Sequence, residues 1–290
     1  MKQLRILLGA FALLALPFSA MAEGESMTAE EFEASLHYKN GAITLPGGIA
    51  KLNVPETFRY LNPEDSRRVL EDAWGNPPGL ETLGMLFPAD VSPLSEKSWG
   101  IIISYDEDGH ISDEDAGSID YDELLANMKD DIEASNEVRK ENGYETLDLI
   151  GWAQPPHYDQ ATRKFYWAKE LRFGTAEQNT LNYNIRILGR EGVLELNAVA
   201  GMSQLDTIQH TIPDVLAFTN FTNGNRYEDF DSSTDKVAAY GLAALVAGAA
   251  AKKLGLLAII AAFLVKGWKL ILIGMAALGG GLMKLRKNKA

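Results

Sequence analysis

The sequence predicts an α+β protein whose mainly antiparallel sheet has helices on one face and is followed by a C-terminal membrane helical hairpin. Three observations lead to this prediction. Segments typical of strands follow one another without the repeated strand–helix–strand unit that builds a parallel sheet. One long segment in the middle of the chain has helical periodicity. Residues 237–290 are rich in small and aliphatic side chains and contain no acidic residue.

The first 22 residues have the features of a secretory signal peptide. Lys2 and Arg5 provide positive charge, and an apolar run of ten residues follows. This run is too short to span a bilayer, and the small residues Ala20 and Ala22 mark a cleavage site. We therefore expect cleavage to leave Glu23 as the first residue of an exported chain, with an uncleaved anchor as the alternative.

Helix caps and turn residues order the first half of the domain that follows. Thr28 and Asn62 are residues of the N-cap type, and each precedes a segment with helical character. Clustered glycine and proline predict a turn at 46–48 and a loop at 74–79. The predicted elements are a helix from Thr28, a strand–turn–strand unit over 42–52, an extended piece over 54–61, a helix from Asn62 to about Ala73 and a strand over 99–105.

A long helix and a meander of strands make up the second half. Asp120, with Glu123 three residues later, predicts the helix start, and Gly143 predicts its end. The polar and apolar residues alternate over 182–187, so one face of the sheet is expected to be wet or covered by a polar partner. The predicted elements are a helix over 120–142, strands over 144–152, 164–173, 181–188 and 193–200, and a helix over 205–221.

The distribution of charge divides the chain into residues 1–22, 23–236 and 237–290. The middle part carries all 40 acidic residues and 17 of the 27 basic ones, a net charge of −23, whereas the last part carries eight basic residues. A domain this acidic is unsuited to neutralising phosphates, so no nucleic acid is expected as a partner. The absence of cysteine excludes disulfide frameworks and thiolate metal sites. No metal or other cofactor is expected.

The acid-free segment 237–290 predicts an anchor in the membrane bilayer. Lysines divide its apolar residues into three runs, each shorter than the roughly 20 residues that a span needs. We predict a helix near 237–252 and a longer helix near 256–284, with a buried soluble hairpin as the alternative. The basic tail favours a cytoplasmic C-terminus and therefore one crossing, but Lys266 lies in the middle of that span, and the number of crossings stays open.

Several unusual motifs resemble the bacterial membrane-anchored proteins of the domain of unknown function 2167 family. These motifs are WGNPP at 74–78, GWAQPPHYD at 151–159, LNYNIRILGR at 181–190, YEDF at 227–230 and DKVAAYG at 235–241. The resemblance covers nearly the whole mature chain. It implies a signal peptide, an exported domain and a C-terminal membrane region. It implies no activity, and no catalytic residue can be carried over from it.

The acidic segment 106–123 holds nine acidic residues and no lysine or arginine. Clustered carboxylates are typical of calcium sites. The spacing differs from that of an EF-hand, because Gly109 and His110 stand at positions four and five of a loop that starts at Asp106. A solvated acidic loop leading into a helix N-terminus is the simpler interpretation, and calcium binding stays open.

The segment 151–169 is the densest in reactive side chains. His157 beside Asp159 could form a general base with its orienting carboxylate, although no motif supplies a nucleophile. The simpler interpretation makes 155–159 a connection between strands, with aromatic residues stacked on the sheet. Arg186 and Arg190 could form an anion site, but exposed ion pairs across strands are commoner.

These features predict an envelope protein in the bacterial cytoplasmic membrane, with its main domain in the periplasm acting as a binding module. The partner is expected to be another envelope protein, an envelope component or a second copy of the chain. The alternatives are an envelope hydrolase using His157 and Asp159 and a membrane protein that self-associates through its C-terminal helices. No catalytic or metal-binding residue is assigned, and the predicted partner-binding residues are Trp152, His157, Tyr158, Asp159, Trp167, Arg186 and Arg190.

Overall fold

An eight-stranded antiparallel sheet organises the protein, and a small three-stranded sheet packs beside it. The computed structural model describes residues 27–76, 78–95 and 97–248. The strands are β1 (Tyr38–Lys39), β2 (Gly41–Thr44), β3 (Ala50–Val54), β4 (Phe58–Leu61), β5 (Gly84–Pro88), β6 (Gly100–Asp106), β7 (Leu147–Asp159), β8 (Lys164–Phe173), β9 (Thr180–Leu188), β10 (Val193–Gly201) and β11 (Thr219–Phe221). The large sheet has the order β1-β4-β5-β6-β10-β9-β8-β7 and the small sheet the order β11-β3-β2. The predicted α+β fold with a large antiparallel sheet is confirmed.

In the described residues, five α-helices accompany the sheets, and three of them begin at the residues that the sequence predicts as caps. The Thr28 side chain accepts a hydrogen bond from the Glu31 N–H group, and the Asn62 side chain accepts one from the Asp65 N–H group. The Asp120 side chain accepts hydrogen bonds from the N–H groups of Asp122 and Glu123. Each cap satisfies an amide that has no partner inside its helix. The helices are α1 (Ala29–Ala34), α2 (Pro63–Arg68), which continues as a wider π-helical turn over Val69–Ala73, α3 (Tyr121–Glu141), α4 (Leu205–Phe218) and α5 (Leu242–Ala247).

Helices cover both faces of the large sheet. On one face, called the α4 face, buried residues of the central strands pack against α4 and the small sheet. On the opposite face, called the α3 face, the α3 and α5 helices cover one end of the sheet, and α1 and α2 cover the other. The prediction of helices on one face is therefore wrong. Strand β6 shows the reason: Ile101, Ile102 and Ile103 point to alternate faces of the sheet, and all three are buried. An unbroken apolar run of this kind is typical of a strand that is covered on both faces.

The alternation over 182–187 does not mark a wet face. Asn182 and Asn184 are only 1% and 4% exposed. The Asn184 amide donates to Asn182 Oδ1 at 2.8 Å, and the Asn182 amide donates to Asn197 Oδ1 at 2.8 Å. Buried amides are tolerated when they are hydrogen-bonded in this way. The expectation of a solvated face at these positions is wrong, since the polar residues satisfy one another inside the domain.

β7 is longer than predicted, because it continues through Pro155 and Pro156 to Asp159. It lies at an edge of the large sheet and has only one neighbouring strand. Proline, which has no N–H group, is tolerated there because its other side needs no hydrogen bond to a strand. Three register shifts interrupt its pairing with β8. The interpretation of 155–159 as a connection between strands is therefore wrong. By contrast, β8 has the predicted bounds, and β9 and β10 differ from theirs by one residue at one end.

The domain extends past the predicted boundary at Lys236. Val237 pairs with His110 as an isolated parallel bridge, and α5 follows within the segment where the first C-terminal helix is predicted. Leu242, Leu245 and Val246 are buried in the cluster beneath α3. The predicted signal peptide and the predicted second C-terminal helix lie outside the described residues. Within the described ranges, no helix is long and apolar enough to cross a membrane.

Candidate functional site

The predicted partner-binding residues do not form one surface, because the sheet separates them. Successive residues of a strand point to opposite faces, so the neighbours His157 and Tyr158 diverge. The His157 ring packs on Tyr166, whose own ring joins the cluster of the α4 face. The other residues follow the same division: Trp152, Tyr158, Trp167 and Arg186 lie on the α3 face, Asp159 borders the α4 face, and Arg190 lies in the turn after β9.

His157 and Asp159 have different local roles. The Asp159 carboxylate accepts from the Thr162 hydroxyl at 2.7 Å and from the Ala161 N–H at 2.9 Å, which closes the turn between β7 and β8. The hydrogen bond from Thr162 holds the pKa of Asp159 below its usual range. His157 is exposed, with its ring centroid 5.1 Å from that of Tyr166. Within the described residues no hydrogen bond joins His157 to Asp159.

Replacing His157 with alanine should lower the free energy of unfolding by only about 0.5 kcal/mol, because an exposed cross-strand ring pair contributes about that much. Trp152→Ala on the same strand is the matched comparison. Its indole packs under α3 and donates to the Tyr121 carbonyl at 3.3 Å, so this variant should lose several times more. Urea unfolding measures both, and equal losses would contradict the assignment of His157 to the surface.

Arg186 and Arg190 are each engaged in an ion pair. Arg186 Nε lies 2.8 Å from the carboxylate of Glu195, its cross-strand neighbour. The pair joins two strands as predicted, but it is not exposed, because the Arg186 side chain is only 11% exposed. Arg190 instead reaches Asp235, with Nε and a terminal nitrogen 2.7 and 2.8 Å from its two oxygens. This bidentate bond holds the pKa of Asp235 well below its usual range. Arg190 therefore fastens the C-terminal part of the chain to the turn after β9.

Three carboxylates of the acidic segment, Asp108, Asp113 and Asp115, form what we call the acidic clasp. Asp108 accepts from the Tyr240 hydroxyl. Asp113 accepts from the Tyr158 and Tyr227 hydroxyls at 2.8 and 3.3 Å and is ion-paired with Arg163. Asp115 accepts from the first N–H groups of α5. The clasp thus holds the segment 227–243 on the domain, and the described residues contain no group of three or more side chains placed to bind a metal ion.

A groove of about 670 Å³ lies between α4 and the ends of β7, β8 and β9. We call it the α4 groove. One wall is aliphatic and comes from α4, with Ile212, Pro213, Leu216 and Ala217. The other wall is polar and comes mainly from the strands, with Gln154, Asp159, Lys164, Tyr166 and Tyr183, and Gln209 adds an amide from the helix.

Burial and one hydrogen bond between side chains determine the properties of the polar groups in the α4 groove. Gln209 Nε2 donates to Gln154 Oε1 at 2.8 Å, which ties the helix to β7. Burial lowers the pKa of Lys164 and raises the pKa of Tyr166 and Tyr183. The groove thus offers a lysine amine, two phenols whose neutral form burial favours and two amides opposite an aliphatic wall. It can hydrogen-bond polar groups of a ligand while packing against an apolar part.

Of the residues that line the α4 groove, only Asp159 is among the binding residues predicted from the sequence. Its lining residues come from four elements that are far apart in the sequence, and no local motif joins them. The pattern at 205–221 predicts the helix, but its periodicity does not distinguish residues that face the core from residues that line a groove at its border. Pro213 lies within α4 and in the groove wall.

Comparisons with known proteins identify a family and distant structural likenesses. A family model described as a protein of unknown function (DUF2167) matches residues 37–278. No curated protein matches the chain. Similar solved structures include the cyanobacterial PsbP of Synechocystis sp. PCC 6803, with 10% identity, a TM-score of 0.34 and coverage of 71% of this chain and 99% of that one.

Two further solved structures are similar at comparable levels. The Ran-binding protein Mog1p of Saccharomyces cerevisiae has 12% identity and a TM-score of 0.32, with 64% of this chain and 96% of that chain covered. LpqN of Mycobacterium tuberculosis, described as involved in cell envelope biogenesis, has 14% identity and a TM-score of 0.30, with 69% and 99% covered.

Proposed function

Because the chain belongs to the DUF2167 family of proteins of unknown function, we propose its role from its own residues: a binding protein tethered to the bacterial cytoplasmic membrane, with its α+β domain in the periplasm. The features that support the location are the signal-like residues 1–22 and the acid-free residues 237–290. The acidic domain is repelled by anionic lipid head groups, whereas the eight basic residues of the C-terminal part are attracted to them.

The α4 groove is the observation on which the binding role depends. Ligand sites in proteins are concave and mostly apolar, with a few polar groups that orient the ligand. The groove has this composition, since the aliphatic side of Leu216 and Ala217 faces Lys164, Tyr166 and Tyr183. The ligand class that fits is a small amphipathic molecule with an aliphatic part and hydrogen-bonding polar groups.

The same geometry supports binding more than hydrolysis. The Asp159 carboxylate is used by the turn between β7 and β8, and the His157 ring packs on Tyr166. A general base needs hydrogen-bond contact with the group it activates. The other polar residues of the α4 groove include amides, phenols and a lysine, which are suited to recognising the polar groups of a ligand.

Native mass spectrometry of the full-length protein, extracted from membranes in mild detergent, tests the proposal. Wild-type protein should carry a bound small molecule. Ala217→Trp should lose it, because Ala217 is exposed in the groove wall and an indole there fills the space without entering the core. Ala134→Trp, at an exposed position of α3, is the matched control and should keep the bound mass.

The same preparation tests the location. The protein should stay in the membrane fraction through a high-salt wash and leave it only with detergent, because apolar insertion is insensitive to salt whereas charge attraction is screened. Release by salt would contradict the proposed anchor. A bound mass that Ala217→Trp retains, or no bound mass in any sample, would contradict the α4 groove as the ligand site.

A further inference from the structure

Polar side chains cross the middle of the α3 face, between the helices that cover its two ends. They come from adjacent strands in register: Lys169 opposes Asn182, Asn184 opposes Asn197, and Arg186 opposes Glu195. We call this set the central polar strip. It separates the cluster beneath α3 and α5 from the cluster beneath α1 and α2. A polar strip at the centre of an otherwise apolar face is costly unless its groups are paired.

Most of the central polar strip is paired internally. The amides of Asn184, Asn182 and Asn197 form a chain of two hydrogen bonds, each of 2.8 Å. Arg186 and Glu195 form an ion pair at 2.8 Å, and the Ser104 hydroxyl donates to the other Glu195 oxygen at 3.3 Å. The carboxylate of Glu195 is therefore shared between two donors, and Arg186 is its only cationic partner in the described residues.

Lys169 is the exception. It is half-buried, and the described part of the chain supplies its ammonium group with no hydrogen bond and no ion pair. Burial, reinforced by the positive charge of Arg186, lowers the pKa of Lys169 to about 8, and Glu195 opposes this shift only partly. The ammonium form thus still predominates at pH 7. Two cations and one anion give the strip a net charge of +1.

A second hydrogen-bond donor on the α3 face, the indole N–H of Trp167, also lacks a partner in the residues that the structure describes. Trp167 lies beside Lys169 on the same face of β8, two residues earlier, and the Arg186 guanidinium stacks over its ring at 5.2 Å. Its side chain is 1% exposed, and its indole N–H has no acceptor among the described residues. Unpartnered buried donors are rare in folded proteins and call for an explanation such as an absent ligand.

We propose that the central polar strip binds the carboxylate group of a small ligand, with the Lys169 ammonium as its ion-pair partner. One carboxylate carries a single negative charge and makes the strip neutral, whereas a phosphate dianion would reverse its charge. The site lies on the opposite face of the sheet from the α4 groove, so it does not depend on the proposed function.

Thermal unfolding of the full-length protein in detergent tests this proposal, with sodium acetate as the probe and sodium chloride at the same ionic strength as the reference. Wild-type protein should unfold about 3 °C higher at an acetate concentration ten times its dissociation constant. Lys169→Met should show no acetate response. It should also unfold at a higher temperature than wild type in chloride, because the unpaired ammonium is gone.

Lys169→Arg and Lys129→Met are the controls. The arginine variant keeps the charge and should keep a response to acetate, and Lys129 is exposed on α3, so its loss should change nothing. A lower unfolding temperature of Lys169→Met in chloride, together with an unchanged acetate response, would overturn the proposal. A response to inorganic phosphate larger than that to acetate would overturn the assignment to a carboxylate.

A measurement on wild-type protein gives an independent answer. Acetylation by an N-hydroxysuccinimide ester, followed by mass spectrometry, reports the accessibility of each lysine. Acetate should slow the labelling of Lys169 at least threefold relative to chloride, whereas the rate at Lys129 should stay the same. Equal protection at both residues, or none at either, would show that no carboxylate sits on Lys169.

Discussion

Truncation of the chain after Lys236 is expected to unfold most of the protein molecules at room temperature. It removes Leu242, Leu245 and Val246, which are buried beneath α3. Each such side chain contributes about 1.5–3 kcal/mol by its burial, and a domain has only about 5–15 kcal/mol in total. The hydrogen bond from Tyr240 to Asp108 is lost as well. The summed loss is therefore comparable to the whole free energy of unfolding.

Truncation after Gly248 is the matched control, because it also removes the acid-free tail but keeps α5. Near-ultraviolet circular dichroism and urea titration compare the two proteins. The longer one should show a cooperative transition and fixed aromatic signals, and the shorter one should have little of either. Equal urea midpoints would mean that α5 adds no stability and that residues 23–236 fold alone.

Asp113→Ala should lower the free energy of unfolding by about 3 kcal/mol. Asp113 accepts from Tyr158 and is paired with Arg163, so its loss leaves a phenol and a guanidinium without their acceptor. The Tyr227 hydroxyl also loses Asp113 but keeps the Ile111 carbonyl at 3.1 Å. Breaking a buried ion pair costs about 3–5 kcal/mol. We expect the lower end of this range, since the Arg163 side chain is 34% exposed and water can replace part of the interaction.

Glu114→Ala is the control for this variant, because Glu114 is the exposed neighbour of Asp113 in the same acidic segment. It should change the free energy of unfolding by less than about 0.5 kcal/mol, as surface substitutions usually do. The difference between the variants should be the same with calcium and with a chelator. A loss for Asp113→Ala that appears only in the presence of calcium would show that the acidic segment acts through a bound ion.

The sequence was most informative where structure is decided locally. Thr28, Asn62 and Asp120 cap helices as predicted, because a cap needs only a side-chain oxygen next to free amides of the first turn. The meander from β8 to β10 was also predictable, since its turns contain glycine and its strands are rich in aliphatic residues. β5 was missed because it is five residues long, wholly buried and without alternation.

The layers and the candidate site depend on contacts between distant residues. The polar residues of β9 face water only if no other element packs over them. Asn182 and Asn184 are buried, and a hydrogen bond joins their side chains. The acidic segment has the composition of a solvated loop, but it fastens α5 through Asp115. The α4 groove exists only once α4 lies across three strand ends, so no single segment carries its signature.

The two open edges of the large sheet restrict how this protein can aggregate or recruit an extended peptide. β1 is two residues long, and β7 carries two prolines and three register shifts. Short, proline-containing and bulged edges are poor templates for pairing with a strand of another chain. Copies of the domain at high concentration are thus protected from joining through the edges of the large sheet. A peptide partner that binds at the large sheet would need to be recognised mainly through side chains, because both of its edges disfavour strand addition.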